Sequence, residues 1–272
     1  MADYASEGGH FYDKDGTPRY TFINKKGEES KTTLREARKN GWYPSVTQII
    51  GLAAKPGLEL WKQEQTIMAC LTMPLIAGES EQDYIKRLRE DAKAQAKAAA
   101  EKGTEIHGYI EKGFRLESIS GRVDILWEGY QYWKSVNDTL YAECGNQEWS
   151  TEKSFANSLG YGGKVDLHNA EYLIDFKGTD KPLESLKLWD DHYLQLAAYD
   201  AGLGGAGRKC GICYVHRDTA ESRLIWIDEK ELMKGFKCFL SLLDFYYNKT
   251  GLDRDTLPET VKKACNPPDG FW

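Results

Sequence analysis

Asp175 and Lys177 stand two residues apart in the apolar run YLIDFKGTDK, Tyr172 to Lys181. Alternate residues of a strand point the same way, so a carboxylate and an ammonium share one face. Upstream, in YGGKVDL, lies Asp166, and Asn169–Ala170 supplies a turn between the two runs. A hairpin centred on that turn sets Asp166 opposite Leu173 and diagonal to Asp175, about 7–8 Å apart and within side-chain reach. Asp166, Asp175 and Lys177 then share a face, while Tyr172, Ile174 and Phe176 point into the core. Paired carboxylates repel unless a cation lies between them, and an open set of oxygen ligands suits Mg²⁺ or Mn²⁺. Such an ion lowers the pKa of a bound water and acts as a Lewis acid on a phosphoryl oxygen. Lys177 would orient or activate the water, or steady charge developing on a phosphate. The chemistry is metal-assisted phosphodiester hydrolysis. The bland alternative is a hairpin with surface charges, since D-x-K triplets are common.

The elements that must position these residues follow from periodicity. Strands are expected at 148–156, 161–167, 172–177, 209–216 and 222–227, with a helix at about 189–202 between the third and fourth. A last helix, 228–247, starts at Asp228, a good N-cap, and buries Leu232, Phe236, Phe239, Leu240 and Leu243. Residues 1–40 are polar, with turns at Asp15-Gly16 and Lys26-Gly27 around a strand in RYTFIN. Thr47 is read as the cap of a short helix from Gln48 that Pro56-Gly57 breaks, and a second helix runs from about Leu58 past Trp61. Residues 81–112 carry the longest helical signal, rich in Ala, Lys, Glu and Arg. This helix is either a solvated rod or an arm that offers Lys86, Arg87, Arg89, Lys93 and Lys97 to phosphates. In 122–137, Leu126, Trp127, Tyr130 and Trp133 recur at helical spacing, favouring core over base stacking.

The chain has 272 residues, 41% hydrophobic and 29% charged, enough for a sizeable core. Its net charge of -6 excludes a protein that coats DNA with a broad basic face. Any nucleic-acid contact must be a local patch or channel. The N-terminus is polar, no secretory or membrane-spanning run is present, and cytoplasmic placement with reduced thiols is expected. Cys210 and Cys213 form a single CxxC leading into the apolar strand GICYVH, a weak signal for metal or redox chemistry.

The D-x8-D-x-K hairpin with a Gln/Tyr helix resembles the PD-(D/E)XK nuclease superfamily, in its RecB-type exonuclease branch. YPSVTQII, KPGLELWK, KGTEIHGYIE, GYGGKVDL, YLIDFKGTDKP, YLQLAAYDAG and GICYVHRD occur in the order seen in mitochondrial genome maintenance and phage exonucleases. The resemblance spans roughly residues 42–247. It implies an α/β fold, with a restriction-endonuclease-like mixed central sheet flanked by helices and an N-terminal helical region over the active site. The corresponding organisation is an N-terminal extension at 1–41, a nuclease domain at 42–250 (helical part 42–112, catalytic sheet 148–227) and a tail, 251–272, draped over the surface.

The resemblance also implies roles. His107, Asp166 and Asp175 would hold the metal, with Glu152 binding through water or ordering the site. Without the resemblance, His107 reads as an i,i+4 surface partner of Glu111. Lys177 would be the catalytic lysine, with Gln195 and Tyr199, at i,i+4, contacting a phosphate or the attacking water. Ser45, Thr47 and Lys181 would touch the DNA backbone, although Thr47 serves a helix cap equally well. The proline of the family's name is absent, with Val165 before Asp166, and Gly178-Thr179 follows the lysine where many relatives have Thr directly. No iron–sulfur cluster is expected, because Cys210 and Cys213 lie in the wrong strand and the tail offers only Cys265. The expected activity is a Mg²⁺- or Mn²⁺-dependent DNA exonuclease acting on single strands or frayed ends. The phage-like layout implies viral replication or recombination in the host cytoplasm, with a possible single-strand-binding or recombination partner. Alternatives are a structure-specific or flap endonuclease, an RNA nuclease, or a non-catalytic DNA-binding recombination partner.

Overall fold

The computed structural model describes residues 9–252. Its centre is a five-stranded sheet of β6 (Ser150–Asn157), β7 (Tyr161–His168), β8 (Tyr172–Thr179), β9 (Lys209–His216) and β10 (Ser222–Trp226), ordered β10-β9-β8-β7-β6. Only β8 and β9 pair in parallel, and the other pairs are antiparallel. A parallel pair needs a crossover, here the helix α6 (Asp190–Gly202). The fold is therefore α/β with a mixed sheet, as expected.

Helices cover both faces. On one face lie α2 (Val46–Ile50), α6 and α7 (Glu229–Thr250), packed on Val165, Leu173, Cys210, Ile212 and Tyr214. On the other, the C-terminal part of α4 (Glu81–Ser120) and α5 (Tyr130–Cys144) pack on Leu167, Ile174, Phe176, Cys213 and Val215. Neighbours in β8 therefore feed opposite cores, which is why the strand reads as a nearly continuous apolar run. Burying side chains such as Leu173 and Ile174 is worth about 1.5–3 kcal/mol each. Cys210 and Cys213 fall in different cores, so they do not form a dithiol site, and burial pushes both thiols up to about 12.

Before the sheet come β1 (Phe11–Tyr12), β2 (Pro18–Arg19), β3 (Thr21–Ile23), β4 (Glu29–Lys31), α1 (Leu34–Asn40), β5 (Tyr43–Pro44), α2 and α3 (Pro56–Thr72). The expected hairpin is two, one pairing β1 with β2 and the other β3 with β4. Pro56 does not break a helix; it begins α3, where its missing N–H costs nothing. The cap of α2 is Ser45, not Thr47: Ser45 Oγ accepts from Gln48 N–H, and Gln48 reciprocates on Ser45 N–H. The long helix runs on to Ser120, giving 40 residues, or about 60 Å at 1.5 Å per residue. The expected helix at 122–137 instead starts at Tyr130. Trp133 is core, while Leu126 lies exposed in the preceding turns. The tail beyond Leu252, with Cys265, lies outside the described residues. Among the described residues no helix is long and apolar enough to cross a membrane.

Candidate active site

The turn between β7 and β8 is held by Asn169, whose Oδ1 accepts from the N–H groups of Glu171 and Tyr172, both at 2.8 Å. His168 then faces Leu173 and Leu167 faces Ile174, a register two residues from the expected one. The ladder ends there. Beyond it β7 stays paired with β6 and β8 with β9, but the two strands no longer pair with each other. Phe176 N–H donates to Asp166 Oδ2 at 2.9 Å, so the carboxylate occupies the gap between the splayed strands rather than one face of the sheet. His107, on α4 beside the buried Ile106 and Ile110, points its Nδ1 at the same Oδ2 from 3.5 Å, and its ring meets Phe176 edge-on. Glu111 pairs with Arg115 instead.

Asp175 and Lys177 reach the opposite way, towards α6. Lys177 Nζ lies 2.6 Å from Asp175 Oδ2. Gln195 bridges the pair: its Nε2 donates to Asp175 Oδ1 at 2.8 Å and to the Tyr199 hydroxyl at 3.2 Å. Its Oε1 accepts from Lys177 at 3.3 Å. Asp175, Gln195 and Tyr199 are buried. The Lys177 side chain is 33% exposed and forms the solvent-facing edge of the network. Tyr199 comes close because Gly163, on β7, lacks a side chain: a Cβ there would sit 2.8 Å from both the Tyr199 and Phe155 rings.

Electrostatics follow from this packing. Burial, and then the Asp175 charge, push the Asp166 carboxyl up to about 6. Burial alone would lower the Lys177 pKa, but the charges of Asp175 and Asp166 outweigh it and raise it, so the side chain stays an ammonium. Burial, with Asp175 and Asp166 nearby, holds Tyr199 well above the ordinary phenol range, so it acts as a neutral hydroxyl.

Among the described residues no three His, Cys, Asp or Glu side chains form a ready-made cage for a metal. The donor set nevertheless suits Mg²⁺, which usually keeps several waters and takes one or two carboxylates plus substrate phosphate. Asp166, raised by burial beside a second carboxylate, is a group that an added cation would discharge. Glu152 does not join the set. Its backbone lies in the left-handed region, at φ 53°, and its carboxylate pairs with Lys164.

The expected DNA contacts divide. Ser45 is buried and its hydroxyl serves the cap, so it is not available to a phosphate, whereas Thr47 is exposed beside it. Lys181 is exposed just past β8. Lys86, Arg89 and Lys93 form one exposed stripe on α4, while Arg87 is tied to Glu79 at 2.7 Å and Lys97 to Glu101 at 3.6 Å. Two residues escaped the sequence reading. Asp191 lies one turn before Gln195 on the same face of α6, and Lys55 binds it at 3.1 Å, tying the start of α3 to α6. Continuing the Gln195–Tyr199 spacing back by four residues would have found Asp191. Lys55 opens the block KPGLELWK, but nothing in the local sequence pointed to its pairing with Asp191.

No family model matches the sequence, and no curated protein matches it. Among solved structures, the chain is similar to a candidate exonuclease from Eubacterium rectale, with 12% identity and a TM-score of 0.36 over 59% of this chain and 73% of that one. It is also similar to SSO0001, with 21% identity and a TM-score of 0.24 over 50% of this chain and 74% of that one.

Proposed function

We infer that the protein is a divalent-metal-dependent deoxyribonuclease that hydrolyses phosphodiesters from the ends of single-stranded DNA. One observation carries this reading. Asp166 in the strand gap and the Asp175–Lys177–Gln195 network belong to one charge-coupled group, open to solvent at Lys177. Asp166 and Asp175 would hold Mg²⁺ or Mn²⁺, with His107 beside Asp166, and the ion when bound would supply Lewis-acid stabilisation and an acidified water. Lys177, kept protonated, stabilises negative charge on the phosphoryl oxygens and does not act as a base. Gln195 fixes the positions of both Asp175 and Lys177, while Tyr199 holds Gln195 as a hydroxyl that does not ionise. Both carboxylates are shielded from bulk water, which strengthens each of these interactions. The net charge of -6 fits local phosphate contacts better than a broad duplex-binding face.

The experiment is incubation with Mg²⁺ or Mn²⁺ and four substrates: end-labelled linear single strand, linear duplex and RNA, and an internally labelled circular single strand. EDTA and Lys177→Ala serve as controls. The reading expects metal-dependent loss of the linear single strand with the circle spared. Cutting of the circle would make the protein an endonuclease, and preferential loss of RNA would change the substrate class. No metal-dependent cleavage of any substrate would leave a DNA-binding protein without catalysis.

A further inference from the structure

Immediately before α6 the chain is extended, from Leu186 (φ −74°, ψ 142°) to Trp189 (φ −111°, ψ 157°). Leu186 and Leu188 pack on the core, so alternation turns Lys187 and Trp189 outward. Trp189 is 57% exposed, an unusual state for the largest apolar side chain. It is not loose. Its N–H donates to His192 Nδ1 at 3.2 Å, its C=O accepts from His192 N–H at 3.0 Å, and its ring rests against α3 at Gly57. Any side chain at Gly57 would begin 3.4 Å from that ring. Lys187 is exposed, and its ammonium has no ion-pair partner among the described residues.

This pair immediately precedes the Asp191 end of the Asp191–Gln195–Tyr199 stripe. The Trp189 ring meets α3 at Gly57, two residues after the Lys55 that binds Asp191. The Lys55–Asp191 ion pair braces the same corner. A fixed, half-bare indole beside an unpaired ammonium has the chemistry of a nucleotide grip, in which the ring stacks on a base and the cation meets the adjoining phosphate. We propose that Trp189 and Lys187 form the subsite for the nucleotide next to the scissile phosphate, and that stacking on Trp189 selects unpaired DNA. The proposal rests on the nuclease reading above and names how that site chooses its strand.

The test compares wild type, Trp189→Ala and Trp189→Phe on single-stranded oligonucleotides carrying one abasic residue at successive positions from the end. The expected result is a rise in KM on the order of 10-fold for Trp189→Ala with kcat unchanged, and recovery in Trp189→Phe. Wild type should slow at one abasic position, and Trp189→Ala should lose that position dependence. A Trp189→Ala enzyme with wild-type KM and an unchanged abasic profile would overturn the proposal while leaving the nuclease reading standing. If wild type cleaves nothing, the nuclease reading falls, and oligonucleotide anisotropy without metal decides the subsite. Weaker binding by Trp189→Ala supports it, and equal binding removes it.

Discussion

In the β7–β8–α6 region, Asp175, Lys177, Gln195 and Tyr199 touch one another, and Asp166 is held from both sides. In the α3–α4 region, Leu60, Ile67, Met68, Leu71, Leu75, Ile76 and Ile85 face water, and the charged side chains pair mostly with neighbours on their own hairpin. Both regions are rich in charge, yet burial is the largest influence on the Asp166 pKa, whereas on the arm that of Glu79 is lowered chiefly by its hydrogen bond with Arg87. The difference is desolvation. A carboxylate between two packed layers loses its water and depends on its neighbours, whereas a charge on an exposed helix keeps its hydration and gains little from a partner. Polar residues therefore depend on one another where the sheet opens between two helical layers, and mainly on water on the exposed arm.

The sharpest challenge to that contrast is Lys177→Ala. On the proposed mechanism, loss of this partly exposed cation should lower kcat by about 10²–10³-fold or more, measured on linear single-stranded DNA. It should also lower the melting temperature, because Asp175 is left buried without its cation. Near-wild-type turnover would remove Lys177 from the site.

Asp166→Asn separates function from stability. The folded carboxyl titrates at about 6, above the ordinary value near 4. The folded state thus binds the proton more tightly than the unfolded chain. The stability contribution is full below pH 4 and is lost as pH rises through 6. In EDTA at pH 7, Asp166→Asn should be more stable than wild type by about 1–3 kcal/mol in urea unfolding, though inactive. The gap should close towards pH 4. Equal stability at both pH values would mean that Asp166 is not held in a desolvated pair.

On the arm, effects should be smaller and carried by salt. Changing Lys86, Arg89 and Lys93 together to Gln should lower the slope of log affinity against log salt by at most about 2 for a single strand. Turnover at saturating DNA should stay unchanged. An unaltered slope would make α4 a solvated rod with no role in binding. Smallest of all, Leu71→Ser should shift unfolding stability by no more than about 0.5 kcal/mol, because that side chain is already 75% exposed. A larger loss would mean that the arm packs against something in solution.

Much of this was legible in the residues themselves. Five strands and two sheet-covering helices follow from apolar runs, turn residues and the Asp228 cap, since these signals are local and repeat with the period of the element. The boundaries that failed turn on competition between neighbours. Ser45 took the cap from Thr47, Pro56 opened a helix that it seemed to end, and the turns at 122–129 kept Leu126 and Trp127 out of α5.

The site divides in the same way. Asp166, Asp175 and Lys177 were picked out by spacing, as two strands joined by a turn, whereas Gln195 and Tyr199 entered only through the resemblance to a family helix. The arrangement of the five was not legible in the sequence. That Asp166 lies in a strand gap depends on the Asn169 turn shifting the register by two residues and on β7 leaving β8 after Leu167. That Glu152 turns aside to Lys164 depends on one left-handed backbone angle. That Lys55 and Asp191 meet depends on α3 and α6 packing across 136 residues of chain. Residue type and period are local properties, and the sequence determines them alone. Register, desolvation and long-range pairing arise only when separate segments exclude water together, so they belong to the tertiary structure.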